Sequence, residues 1–127
     1  MEQFVLIADD DPALAKLVQI VVEGEGYLAA TAKDGKEAYN VLKSGAEIVG
    51  AIIDINMPYI DGNDLLKFMR KDGRFADIPV LIMTGDLDPR ASAKAMSSGA
   101  IGFLPKPFTN SQLRTAIKTL VTKRRPE

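Results

Sequence analysis

Cysteine, histidine and tryptophan are all missing from this sequence of 127 residues. Without cysteine there is no disulfide, no zinc–thiolate centre and no thiol nucleophile. Without histidine the chain cannot itself carry a phosphohistidine. Aromatic residues make up only 6% and do not interleave with the bases, so no stacking platform for nucleic acid is expected. No apolar run approaches the roughly 20 residues of a membrane span. The opening Met1-Glu2-Gln3 is not a basic leader, and a cytoplasmic location with no membrane partner is expected.

Charge of one sign is also scarce, but only locally. The net charge is −1, yet residues 1–64 carry 12 acids against 4 bases and residues 65–127 carry 5 acids against 12 bases. The bases of the second half are spread singly, apart from Lys123-Arg124-Arg125. They read as solvated helix faces, and direct nucleic-acid binding is not expected. An apolar content of 46% over this length supplies one real core, so residues 1–127 are expected to form one domain with no output domain attached.

What is present is an alternation of short apolar runs with helical periodicity. Phe4–Ala8, Tyr27–Thr31, Ile48–Ile53, Pro79–Thr84 and Gly102–Leu104 read as strands. After the first, Asp11-Pro12 forms an N-cap and first helical residue, with Leu14, Leu17, Val18 and Val21 on one face up to Gly24. Asp34 and Glu37 open a second helix whose inner face is Ala38, Val41 and Leu42, and Gly45 stops it. A third covers 63–72, with Leu65, Leu66 and Met69 inward. Asp88-Pro89 caps an alanine-rich fourth, and Thr109 with Gln112 boxes the start of a fifth, lined by Leu113, Ile117, Leu120 and Val121. Five strands alternating with five helices are βαβ units. Strands apolar throughout imply helices on both faces, so the fold class is α/β with a doubly wound, five-stranded parallel sheet.

Ligands of such sheets bind beyond the carboxyl ends of the strands. The residues at those ends are Asp9 and Asp10, Asp54, Thr84 and Lys106. Three carboxylates on one edge repel one another, and a hard divalent cation, Mg²⁺, relieves this through oxygen ligands. One acid suffices for the helix cap, and Asp11 fills that place. Asp10 and Asp54 are therefore the direct metal-ligand candidates, with Asp9 beside them and the backbone carbonyl of Asn56 as a third protein ligand. Asp54 is the candidate nucleophile, since a carboxylate can form an aspartyl phosphate. Lys106 can neutralise phosphoryl charge, and Thr84 can donate its hydroxyl to a phosphoryl oxygen.

The segments Ile7-Ala8-Asp9-Asp10-Asp11-Pro12, Asp54-Ile55-Asn56-Met57-Pro58 with Asp61-Gly62, Met83-Thr84-Gly85, Gly99-Ala100 and Lys106-Pro107-Phe108 stand in this order along the whole chain. Together they resemble the CheY-like receiver domain of two-component response regulators. The resemblance implies a flavodoxin-like three-layer sandwich and a phosphoprotein switched by Mg²⁺-dependent phosphoryl transfer. It implies Asp54 as phosphoacceptor, Asp9 and Asp10 as the acidic metal pair, Thr84 and Lys106 as phosphoryl-sensing groups, and Phe103 as the switch aromatic. It also implies a cis Lys106–Pro107 bond. Asn56 and Asp86, two residues past Asp54 and Thr84, occupy the positions that tune water attack, and their small polar side chains imply a short-lived phosphoryl group.

The implied partners are a sensor histidine kinase or histidine phosphotransfer protein upstream, and a downstream protein on the face spanning residues 88–123. Arg90, Lys94, Arg114 and Lys118 would rim that face. Catalysis is then limited to the chain's own phosphorylation and dephosphorylation, so it is not an enzyme in the ordinary sense. Three other readings compete. A phosphatase of the haloacid dehalogenase type needs an acid two residues past the nucleophile, where Asn56 stands. A flavodoxin-like cofactor carrier needs a phosphate loop after the first strand, where Asp9-Asp10-Asp11 would repel the phosphate. A pseudo-receiver acting purely in protein binding has no use for an intact acidic set.

Overall fold

The structure, a computed structural model, describes residues 2–85 and 89–122. Asp86, the capping Asp88 and the Lys123-Arg124-Arg125 run lie outside these residues. The elements follow in strict alternation: β1 (Phe4–Ala8), α1 (Pro12–Gly24), β2 (Leu28–Ala32), α2 (Gly35–Lys43), β3 (Ile48–Asp54), α3 (Gly62–Lys71), β4 (Val80–Thr84), α4 (Pro89–Ser97), β5 (Gly102–Pro105) and α5 (Asn110–Thr122). The strands form one parallel sheet in the order β2-β1-β3-β4-β5. The expected fold is therefore the observed one. β2 runs one residue later than its apolar content suggests, because Leu28 registers with Phe4 and Ala32 with Ala8.

The helix starts follow the local chemistry. The Asp11 carboxylate accepts from the N–H groups of Ala13 and Leu14, and the Asp34 carboxylate from that of Glu37 at 2.8 Å. The Thr109–Gln112 box is reciprocal, at 2.8 and 3.0 Å. Each satisfies donors that the first turn leaves without helical partners.

Two apolar layers sandwich the sheet. One holds Ala38, Leu42, Leu65, Leu66, Met69 and Ala95 from α2, α3 and α4. The other holds Ala15, Val18 and Val22 of α1 with Leu113, Ile117 and Leu120 of α5. The face of α1 is rotated from the periodic expectation. Ala15 and Val22 are buried with Val18, whereas Leu14 and Leu17 are only half-buried. The larger leucines instead border a groove against Lys106, Pro107 and Phe108. Ala15, Val18 and Val22 join Leu113, Ile117 and Leu120 of α5 in that layer. Lys118 of α5 pairs with Glu25 at 3.7 Å, so it is not a free charge on the rim drawn from Arg90, Lys94, Arg114 and Lys118.

The connection from β3 to α3 is tightly built. Gly62 donates its N–H to Ile55 O at 2.9 Å, and a Cβ there would strike Asp54 O and Ile55 Cα. Ile60 lies where a Cβ on Gly35 would stand. Just before Ile60, Tyr59 has φ 69°, the one positive φ outside glycine among the described residues. The Ile60 N–H reaches Pro58 O at 2.9 Å across it, which makes a strained γ-turn. The Tyr59 ring is 80% exposed, with the Lys36 ammonium 5.4 Å from its centroid, so burial offsets little of that strain.

Glycine is ordinarily less stabilising than alanine, yet at a positive φ the order reverses. We therefore expect Tyr59→Gly to be more stable than Tyr59→Ala by about 1 kcal/mol, since both lose the cation–π contact and only alanine keeps the Cβ. Chemical denaturation of the two variants measures this, and an alanine variant equal to or above the glycine one would show that the turn is unstrained. At the other end of the loop, Gly62→Ala should cost about 2 kcal/mol by overpacking.

Candidate functional site

Strand register decides which side chains meet. β1 and β3 are neighbours although β2 lies between them in sequence, so the winding reverses direction there. Ala8 pairs with Ile53, which sets Asp9 level with Asp54. Asp54 pairs with Met83, and Thr84 follows one residue on. Thr84 pairs with Pro105, which delivers Lys106 just beyond the end of β5. The Lys106 N–H donates to Thr84 O at 2.7 Å, and the Lys106–Pro107 bond is cis, as the resemblance implies.

Asp9 and Asp54 are buried at the end of an apolar sheet, and Asp10 beside them is exposed. One oxygen from each of the three lies within 4.8 Å of the others. The Lys106 ammonium stands between the buried two, 3.1 Å from Asp9 Oδ2 and 3.3 Å from Asp54 Oδ2. Their other oxygens are also engaged. Asp9 Oδ1 accepts from the Asp11 N–H at 2.8 Å, and Asp54 Oδ1 from the Asn56 N–H at 3.2 Å.

Burial pushes the Asp54 carboxyl above the ordinary carboxylate range, and the charge on Asp9 adds to this. The Lys106 charge and the Asn56 N–H act against the rise without cancelling it. For Lys106, burial works against the ammonium. Its hydrogen bond to Asp9 and the charges of Asp54 and Asp9 outweigh that, and the net direction is upward. The lysine is thus held charged, and the Asp54 carboxylate is more basic than an exposed one. Three hard oxygen donors facing one ammonium leave a net excess of two negative charges. Such a set fits a divalent cation of the magnesium type.

The structure thus brings together Asp9, Asp10, Asp54 and Lys106. Thr84 is buried at the end of the adjacent strand. The Asn56 side chain is exposed, and its backbone turns back onto Asp54. Phe103 is not in the cluster. It lies on the edge strand β5, 42% exposed. Sequence reasoning missed the Gly35–Ile60 contact and the strained Tyr59. It also missed Arg70, whose guanidinium binds three backbone carbonyls. A proline before Tyr59 hints at a turn, but no local signal marks the other two, because their partners are remote in sequence.

Among the described residues no helix is long and apolar enough to cross a membrane. Compared with known proteins, residues 5–118 match the profile of the response regulator receiver domain. The chain is 32% identical over 118 residues to the response regulator SaeR of Staphylococcus aureus, an alignment covering 93% of this chain and 50% of that protein. It thus spans about half the length of the curated relatives it matches. In structure it is similar to the chemotaxis response regulator CheY4 of Vibrio cholerae, with a TM-score of 0.86, 28% identity, and 94% and 99% of the two chains covered. It is also similar to the receiver domain of the Francisella response regulator 1452, with a TM-score of 0.85, 31% identity, and 96% and 98% covered. A match of this extent takes in all the strand ends at which the acids and the lysine converge, and the chain belongs to the response regulator receiver domain family.

Proposed function

We propose that Asp54 accepts a phosphoryl group from a phosphohistidine protein, and that this acceptance switches a protein-binding face. The observation that carries the reading is the Lys106 ammonium bridging Asp9 and Asp54 beside a third carboxylate. In the transfer, an Asp54 oxygen attacks phosphorus as the P–N bond of the donor breaks, and the imidazole leaves. Lys106 offsets the charge carried by the phosphoryl oxygens. The 127 residues themselves hold no histidine to serve as that donor. A sensor histidine kinase or a histidine phosphotransfer protein fits that need.

Asp10, Asp54 and the Asn56 carbonyl, with Asp9 beside them, would hold Mg²⁺. When bound, the ion supplies the positive charge that the three carboxylates lack and that a phosphoryl group needs. Lys106 already occupies one oxygen of each buried acid, which keeps the site tolerable before phosphorylation.

Thr84 is the relay to the surface. Its hydroxyl can hydrogen-bond a charged phosphoryl oxygen more strongly than a neutral partner. Drawing it inward leaves room for the half-exposed Phe103 ring on the neighbouring strand. The output face then comprises α4, β5 and α5, with Lys94 and Arg114 exposed along it. An acidic downstream protein suits it, and the mechanism is a shift between two existing arrangements.

Incubation with acetyl phosphate and Mg²⁺ should add one phosphoryl mass to the chain, and Asp54→Asn should abolish the addition. Full labelling of that variant by intact-mass spectrometry would remove Asp54 from the role. Asp54 also makes a stability prediction. With its folded carboxyl raised, the folded state holds the proton more readily than the unfolded one. Its contribution is complete below the unfolded value and is lost as pH rises through the folded one. At neutral pH and without metal, Asp54→Asn should therefore melt at the same temperature as the native chain or higher.

A ligand that binds only the folded state at a hundredfold excess over Kd stabilises by about 2.7 kcal/mol. Mg²⁺ should raise the melting temperature of the native chain accordingly, and Asp10→Asn should lose that rise. An undiminished rise would exclude Asp10 as a ligand. Thr84→Ala should still label but should give reduced NMR shifts at Phe103 when beryllium fluoride occupies the site. Shifts at Phe103 equal to those of the native chain would break the proposed relay.

A further inference from the structure

The sheet has two edges, and they are guarded unequally. β5 has four residues and ends in Pro105, and a short strand closed by proline resists further pairing. β2, at the other edge, is Leu28-Ala29-Ala30-Thr31-Ala32, with neither charge nor proline. Its Leu28 N–H donates to Gln3 O, and its Ala32 O accepts from the Asp9 N–H, both at 3.0 Å. Successive residues of a strand point their backbone groups to opposite sides, so Leu28, Ala30 and Ala32 face β1. Ala29 and Thr31 therefore turn their N–H and C=O groups outward, along the edge of the sheet. Small side chains on either side leave that edge open to another backbone.

Apolar surface and charge are both arranged around this edge. Leu28 on the strand is 39% exposed, and Ile20 on α1 is 56% exposed. Lys16 and Gln19 of α1 line a groove of about 330 Å³ together with Thr31 and Ala32, so that side of α1 borders the edge of β2. Glu23 follows one turn after Gln19 and accepts a hydrogen bond from its amide at 3.3 Å. The stripe along the helix is thus a cation, an amide and an acid, with Lys16 and Glu23 two turns apart. Across the sheet, Glu37 of α2 lines the same groove. It already pairs with Lys33 at 3.8 Å, so it brings no uncompensated charge.

We propose that the edge of β2 binds a second copy of this chain, antiparallel across a twofold axis at Ala30, so that the two sheets continue as one. Ala29 of each copy then pairs with Thr31 of the other, giving four backbone hydrogen bonds. Leu28 of each copy comes opposite Ala32 of the other, and the exposed large side chain covers the small one. α1 packs on both β1 and β2, which sets it about one strand spacing, about 5 Å, from the axis. The two copies of α1 therefore lie about 10 Å apart, a distance at which helices pack. They run antiparallel. α1 starts beyond the end of β1 and stops before the start of β2, so its middle is level with the axis. Lys16 of each copy is thus set opposite Glu23 of the other. A parallel pairing would set like charges together, so the stripe complements itself in the antiparallel sense. The association stands apart from phosphorylation.

The test uses the whole chain without ligand. Sedimentation velocity from about 1 µM to about 1 mM should show a monomer passing into a dimer. Lys16→Glu and Glu23→Lys should each weaken the association by about tenfold, because each sets like charges opposite one another. The double variant, carrying both reversals, should recover it. Both positions are exposed, and melting temperatures check that every variant is equally folded. Thr31→Pro removes an outward N–H without touching the ladder to β1, and it should also lose the dimer. Where that variant fails to fold, the charge reversals decide alone. Amide NMR shifts on dilution should fall on residues 16–23 and 28–32. A native chain that stays monomeric at the highest concentration would overturn the proposal. So would a dimer that both single reversals leave intact, or one whose shifts fall on α4, β5 and α5 instead.

Discussion

Two carboxylates buried side by side at the end of an apolar sheet would be untenable alone, and the Lys106 ammonium between them is what makes the arrangement stand. Much of the surrounding structure serves that one contact. The ammonium reaches the acids only because β5 lies beside β4 and ends level with Thr84. It is steadied by the Lys106 N–H on Thr84 O, and the prolines on either side limit the backbone further. The acids are held by backbone donors two residues on, from Asp11 and Asn56. Even so, one ammonium against three carboxylates leaves negative charge uncompensated. That imbalance is the property a cation and a phosphoryl group can use.

The fold makes such a site possible by concentrating polarity at one end. β1, β3 and β4 are apolar along nearly their whole length, so their polar residues occur only where the strands stop. Layers of helices on both faces exclude water from the strands but leave the carboxyl edge open. The loops at that edge are built for closeness as much as for reach. Gly62 packs on the Asp54 backbone and Ile60 on Gly35, and the strained Tyr59 directly precedes Ile60. Arg70 does at the far end of α3 what Gly62 does at the near end, so α3 spans the molecule between two fixed points.

Much of this was legible in advance, for a definite reason. A parallel sheet requires apolar runs, capped helices and polar strand ends, and each leaves a local mark. Asp11-Pro12, Asp34 with Glu37, and Thr109 with Gln112 are caps whose partners lie within three residues, and all three formed as expected. The acids and Lys106 were identifiable because strand ends converge by rule in this class of sheet. The face of α1 was misjudged because periodicity ranks side chains by hydrophobicity. Burial instead falls on Ala15 and Val22 and leaves Leu14 and Leu17 at a groove, which depends on how the helix is set against its neighbours.

The sequence by itself determined the element order, the sheet class and the identity of the polar residues at the strand ends, because those depend on neighbours a few positions away. Only the tertiary structure decided that Lys106 bridges Asp9 and Asp54 across 97 and 52 residues, that Tyr59 sits at a positive φ, and that Arg70 clamps the end of α4. Those contacts depend on strand register and on distances between elements remote along the chain. A hydrogen-bond donor or a missing Cβ carries no local mark of which remote carbonyl it will meet.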